Sequence, residues 1–437
     1  MPLVRRSSTP LAALALATAL LGCAASNRQP RPRYKPAPQL RGCGASECVE
    51  AQLELRPWAD TRHRRGRLIY HCDPGSELDG REDPEVERLI LVIHGHAEPS
   101  QIPAMTMAPG LGQLLAIRSA MSLAAERDPS FDPSRVAIIA PTFQRAGEWQ
   151  PYTDEDPRMW AWSGSSYNTG GLSEEGRGRL GGVKAEPVSS FEILDELLRQ
   201  SLVKFPQLQQ IVLVGHSAGA QAVHRYALLG VGVHEHLEKQ GVRLRYVVAN
   251  PGLYAFPLRR RKLPPGRAQV PPGRGQGDTQ HWRWSVPKAC PGYDDWGHGL
   301  AGLPERGDER GRRSVDYAIE QYLRPVDRKL ARRGRHNLWS HDGQQALRRA
   351  LWLQYASREV WHLQAARDYA STFGDSCKAT SQGRSRFERF SNFQEAWLGL
   401  LGVDASNLHF VAVEHLHDQH DARAIYTSEA GLHLLFR

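Results

Sequence analysis

Several things are missing or scarce in this 437-residue sequence, and each narrows what the protein can be. Six cysteines occur and no two of them form a C-x-x-C pair, which argues against a zinc ribbon or a thioredoxin-type redox site. No aromatic-basic ribonucleoprotein motif accompanies the 56 Lys and Arg residues, so a nucleic-acid partner is not expected despite a formal net charge of +9. The apolar stretch near the N-terminus, Leu11 to Leu21, is too short to cross a bilayer as a mature helix. What remains is a chain long enough for a full core plus a sizeable insertion.

The chain is organised around Gly215-His216-Ser217-Ala218-Gly219, which follows the apolar run Gln210 to Val214 and precedes a helix-like stretch from Ala220 to Gly230. Strand, sharp turn and helix are what a serine nucleophile needs. Its hydroxyl is a weak nucleophile unless it is held exposed at a strained turn, beside a base and at a helix N-terminus. Gly215 and Gly219 fit because the turn brings strand and helix backbones too close for a larger side chain.

Buried-strand patterns flank this unit. Arg88 to His94 is a continuous apolar run ending in Gly95-His96-Ala97, where backbone N–H groups are placed to meet a developing oxyanion. Leu111 to Arg127 has helical spacing, Arg135 to Ala140 is a second buried run, and Ser189 to Lys204 reads as the helix before the serine strand. Trp149, Trp160 and Trp162 lie in a glycine-rich loop and either line a pocket or plug the core. After the strand Val242 to Asn250 the rhythm stops. Residues 253–340 carry 18 Lys or Arg against 9 Asp or Glu, an excess equal to the net charge of the whole chain. This proline-rich basic insertion is expected to be a lid, or a face for anionic head groups or a polyanionic substrate, unless it is a solvated loop alone. Gln344 to Tyr355 reads as helix, Val360 to Leu363 as strand, and Leu408 to Val413 as the last strand before a helix from Ala422.

The N-terminus resembles an export signal. Arg5-Arg6, the apolar stretch and Leu20-Leu21-Gly22-Cys23 are similar to the bacterial lipobox, cut before a lipidated cysteine. This implies a signal peptide over 1–22, a lipid anchor on Cys23, and an extended tether over 23–50 carrying Pro30, Pro32, Pro36 and Pro38. Ala24, in place of an Asp, makes the outer membrane of a bacterial envelope the expected address. In an exported protein Cys43 with Cys48, and Cys290 with Cys377, are the expected bridges, and of the five cysteines after Cys23, which include Cys72, at least one stays free or pairs with another molecule.

Taken together, Phe205-Pro206, the G-H-S-A-G pentapeptide, the strand-end Asp368 and His420-Asp421-Ala422 resemble the α/β-hydrolase superfamily over residues 88–437. The resemblance implies a doubly wound, mostly parallel sheet, with core halves at 51–252 and 346–437 and a basic cap over 253–345. It implies acyl transfer to water with no cofactor and no metal, on a small-molecule or lipid ester. It implies Ser217 as nucleophile, His420 as base, Asp368 as the residue that orients it, and the backbone N–H groups of His96 and Ala218 as oxyanion donors. His417 is the alternative base, and His420 is preferred because it directly precedes Asp421 and the helix. The acid loop lacks the glycine many members place before the aspartate, and the histidine loop is longer than their usual turn. Two rivals remain at this level. His415, His417 and His420 could hold a metal, although the register is off by one for an H-x-H-x-D-H site. A lipoprotein could instead keep this fold for binding alone.

Overall fold

The sheet is built from strands whose alternate residues are apolar on both faces. The computed structural model describes residues 49–55, 66–96, 109–145, 159–164, 166–174, 187–230, 232–264, 282–300, 341–370, 376–402, 404–416 and 420–437. All of these lie within the unit Gln39–Arg437. Its strands are β1 (Val49–Leu55), β2 (Gly66–Cys72), β3 (Arg88–Ile93), β4 (Val136–Pro141), β5 (Gln210–His216), β6 (Arg243–Ala249), β7 (Val360–Ala365) and β8 (Leu408–Val413). They form one eight-stranded sheet in the order β1-β2-β4-β3-β5-β6-β7-β8. β2 runs antiparallel to both β1 and β4, and β3 to β8 pair in parallel.

Helices cover both faces, as parallel pairing requires. They are α1 (Pro109–Arg127), α2 (Ser190–Lys204), α3 (Ala218–Leu229), α4 (Gly232–Lys239), α5 (His341–Ala356), α6 (Cys377–Thr380), α7 (Arg386–Glu395), α8 (Ala422–Tyr426) and α9 (Glu429–Phe436). Leu89, Leu91 and Ile93 of β3 pack with residues of α2, α3 and α7, whereas Ile90 and Val92 pack with α1, α8 and α9. Period-two alternation in one continuous apolar strand therefore supplies two cores, each fully buried aliphatic side chain contributing about 1.5–3 kcal/mol. α2 starts where Ser189 accepts from Phe191 N–H and Glu192 reaches back to Ser189 N–H, a capping box that closes two otherwise unpaired donors.

Each strand and helix expected from Arg88 onward is present, within a few residues of its expected ends. β1 and β2 were not expected. Trp160 and Trp162 are both wholly buried in the core beneath β2, so their role is packing. Trp160 lies against Gly66, where a Cβ would sit 2.2 Å from the indole, and the Trp162 indole N–H donates to the Gly171 carbonyl at 3.0 Å. Trp149 lies outside the described residues. Of the basic segment, residues 253–264 and 282–300 are described. Tyr254, Ala255 and Phe256 are buried with the main core, and Arg261 is buried in an ion pair with Asp294 at 3.0 Å. Cys290 and Cys377 form a disulfide that joins this segment to α6. Cys72 is a free, buried thiol whose pKa burial pushes up. Cys23, Cys43 and Cys48 lie outside the described residues. No helix among the described residues is long and apolar enough to cross a membrane.

Candidate active site

Ser217 sits between β5 and α3 with φ 56° and ψ −115°, a region that L-residues rarely adopt. The strain is held by close backbone contacts. A Cβ on Gly215 would lie 2.4 Å from the Gly219 carbonyl, and one on Gly219 would lie 2.1 Å from the Ile93 carbonyl oxygen. Neither neighbour is a side chain that could swing away. The Ser217 N–H donates to the Ala249 carbonyl at 3.0 Å, and Ser217, at the N-cap position, makes no side-chain bond to the first turn of α3. The first amides of that helix, beginning with Ala218, follow directly on the serine.

The opposite wall is the end of β3. Gly95 passes so close to the serine that a Cβ there would be 3.0 Å from Ser217 Cβ, which leaves His96 as the next residue along this wall. His94 anchors the wall: its Nε2 accepts from Phe143 N–H at 2.9 Å, which puts the proton on Nδ1, and Nδ1–H donates to the Gly95 carbonyl at 2.7 Å. The Tyr167 hydroxyl donates to the His94 carbonyl at 3.2 Å. Burial drives His94 to about 4, and burial with the nearby Arg145 charge drives His96 to about 4, so both imidazoles are neutral at pH 7.

His420 reaches the serine from the loop after β8. Its Nε2 is 3.1 Å from Ser217 Oγ and its Nδ1 is 2.9 Å from Asp368 Oδ2. An ionised carboxylate only accepts, so Nδ1 carries the proton and the serine hydroxyl donates to Nε2. The adjacent Asp421 caps α8 by accepting from Ala424 N–H at 2.8 Å, which fixes the backbone on the helix side of His420. Asp368 follows β7, its N–H bonded to the Ala365 carbonyl at 3.1 Å. Its burial would raise its pKa, but the hydrogen bond from His420 and the charge of Arg386 outweigh burial and hold the carboxyl below the usual range.

The structure thus brings Ser217, His420 and Asp368 into one hydrogen-bonded chain; Ala218 follows the serine as the first residue of α3, and His96 follows Gly95 after β3. His417 lies outside the described residues. His415, at φ 58°, lines a separate cavity of about 890 Å³ with Trp361, Val411, Leu416 and Leu432, and none of Ser217, Asp368 and His420 borders it. Among the described residues no group of three or more His, Cys, Asp or Glu side chains converges as a metal site.

Three residues at the site were not singled out from the sequence. Arg386 at the start of α7 grips both oxygens of Asp368, at 2.9 and 3.2 Å. His216, buried one residue before the serine, packs its ring 4.7 Å from that of His420, and burial together with the His420 and Arg386 neighbours keeps its pKa well below the usual value. Asn250, at φ 48° and fully buried, accepts through Oδ1 from Ala365 N–H at 2.8 Å and from the Gln364 amide at 3.1 Å. It ties the end of β6 to the end of β7, and so the serine strand's neighbour to the strand that leads to Asp368. Asn250 alone had a sequence signal, as an asparagine before proline at a strand end, a place where left-handed backbone is tolerated.

A doubly wound sheet of this order, with a serine at the strained turn leading into α3, is the α/β-hydrolase fold. The sequence matches no protein-family model and none of the curated proteins. Among solved structures it is similar to the poly(3-hydroxybutyrate) depolymerase LpqC from Bordetella parapertussis, at 15% identity and TM-score 0.44 over 86% of each chain. It is similar to poly(aspartic acid) hydrolase-1 from Sphingomonas sp. KT-1, at 14% identity and TM-score 0.42 over 89% of this chain and 98% of that one. It is also similar to the siderophore hydrolase EstA from Aspergillus nidulans, at 12% identity and TM-score 0.37 over 92% of this chain and 98% of that one.

Proposed function

We propose that this protein is a serine hydrolase that cleaves a carboxylic ester through an acyl-enzyme on Ser217. The observation that carries the reading is the chain of hydrogen bonds from Asp368 to His420 to Ser217, at 2.9 and 3.1 Å, ending on a serine at positive φ. Ser217 Oγ attacks the ester carbonyl carbon as its proton passes to His420 Nε2. The carbonyl oxygen gains charge and takes hydrogen bonds from the N–H groups of Ala218 and His96. Collapse breaks the C–O bond, and the leaving alcohol takes the proton from Nε2. A water then attacks the acyl-serine by the same route, giving the acid and free Ser217. Asp368 stays ionised throughout, holding the Nδ1 proton and stabilising the imidazolium.

The test is covalent: a fluorophosphonate labels the wild type and not Ser217→Ala, and p-nitrophenyl esters of increasing chain length rank the acyl groups. Absence of labelling would sink the reading. It would leave the binding-only lipoprotein or, were hydrolysis present and abolished by a chelator, the metal reading with His415, His417 and His420. We further propose that the enzyme works at a bacterial envelope, lipid-anchored through Cys23 at the outer membrane, on small-molecule or lipid esters. Cys23→Ser should then move the protein to the soluble envelope fraction, and unchanged membrane partitioning refutes the anchor.

A further inference from the structure

Arg386 is the first residue of α7, whose N-cap is Ser385. A helix N-terminus disfavours a cation, and this one is 3% exposed, so neither helix formation nor solvation accounts for an arginine there. Its guanidinium Nη1 is shared between Asp368 Oδ1 at 2.9 Å and Oδ2 at 3.2 Å, and Oδ2 is the oxygen that accepts from His420 Nδ1. The backbone closes the same joint, Phe387 N–H donating to the Asp368 carbonyl at 3.2 Å.

We propose that Arg386 is a positioning residue for the Ser217 reaction: it fixes the rotation of the Asp368 carboxylate so that Oδ2 meets His420. The proposal rests on the hydrolase reading above. The charged and titratable groups around Asp368 come from three elements: His420 from the loop after β8, His216 from β5, and Arg386 and the buried Arg389 from α7. Glu388 of α7 is turned to Arg384, accepting from its backbone N–H and its guanidinium, and among the described residues no second carboxylate is bonded at Asp368. Of the two cations, only Arg386 touches the carboxylate.

Removing the guanidinium leaves a carboxylate that is 2% exposed with one partner instead of two, so burial gains and the protonated acid is favoured. Because Asp368 and His420 share a proton site, the change is read on the pair. In Arg386→Met the acid midpoint of kcat/KM for a p-nitrophenyl ester rises by about one pH unit. Its kcat falls about ten- to a hundred-fold while KM stays within about two-fold, because orientation is lost and ground-state binding is not. Arg386→Lys keeps the charge but not the planar guanidinium that places Nη1 between the two Asp368 oxygens, so its midpoint stays near that of the wild type while kcat still falls.

A purely structural ion pair would instead lower the unfolding temperature of both variants and leave midpoint and kcat unchanged in the folded protein, which overturns the proposal. Should Arg386→Met fail to fold, Arg386→Lys decides, and a wild-type kcat refutes. The His420 Nδ1 proton, identified as the downfield proton resonance that His420→Ala lacks, gives the midpoint without turnover. A wild type that hydrolyses no ester therefore fails the hydrolase reading, while an unshifted resonance in Arg386→Met fails this one.

Discussion

His420→Ala removes the only described side chain that bridges Ser217 and Asp368. The loss to the fold is small, because the His420 side chain is 30% exposed and Asp368 keeps its ion pair to Arg386 at 2.9 Å, so no buried carboxylate is stranded. One charge-assisted hydrogen bond disappears, worth about 1.5–3 kcal/mol of stability. The catalytic loss is larger. Without a base at 3.1 Å the serine must attack with its proton in place, and removal of such a group lowers turnover by about three or more orders of magnitude, or about 4 kcal/mol on the barrier. His216 cannot take over: it is buried and makes no hydrogen bond to Ser217. The assay is turnover of a p-nitrophenyl ester by His420→Ala, His417→Ala and His415→Ala, with the rate of fluorophosphonate labelling and the circular dichroism of each. The expected result is that only His420→Ala falls, folded and nearly inactive. A His420→Ala enzyme within about ten-fold of the wild type refutes the assignment, and a collapse in His417→Ala would move the base there.

The Cys290–Cys377 bridge spans 87 residues of sequence, which in the chain-entropy account stabilises by about 4–5 kcal/mol. A double serine variant should show a loss of that order in urea unfolding, and an unchanged midpoint would mean the segment is held by packing alone. Gly219→Ala drives a Cβ onto the Ile93 carbonyl, a backbone atom 2.1 Å away, and should abolish labelling or folding. Gly399→Ala meets nothing within 4 Å and should be neutral in thermal melts. For acid stability the sign follows from Asp368, whose folded pKa lies below its ordinary value of 3.8: its contribution is full above that value and is lost as pH falls through the lower folded one. Asp368→Asn should flatten that part of the pH–stability curve, and an identical curve in both proteins would assign acid unfolding to other carboxylates.

The serine turn was legible because everything it needs is contiguous. An apolar strand, two glycines and a helix lie within some twenty residues, and the clash that requires glycine at 215 and 219 is between backbone segments that the turn itself brings together. His420 was legible for a similar reason, since its neighbour Asp421 caps the next helix and fixes the backbone there. The buried runs of β3, β4 and β5 announced a parallel sheet through their continuous apolar character. In β1 the alternation Val49, Ala51, Leu53, Leu55 is that of a strand, but it is short and follows a proline-rich stretch, so the local pattern does not separate it from an extended tether.

What sequence alone could not decide is whatever depends on which distant segments meet. Two tryptophans in a loop read equally as pocket or core until Gly66 of β2 lay against Trp160. Strand order is set by which edges pair, so β3 lies between β4 and β5 for reasons that no local pattern encodes. Arg386 is one of many arginines in a basic chain, 18 residues beyond Asp368 and on another element. Its meaning arises only when tertiary packing puts its guanidinium and that carboxylate in the same water-poor place, where a charge must find its partner.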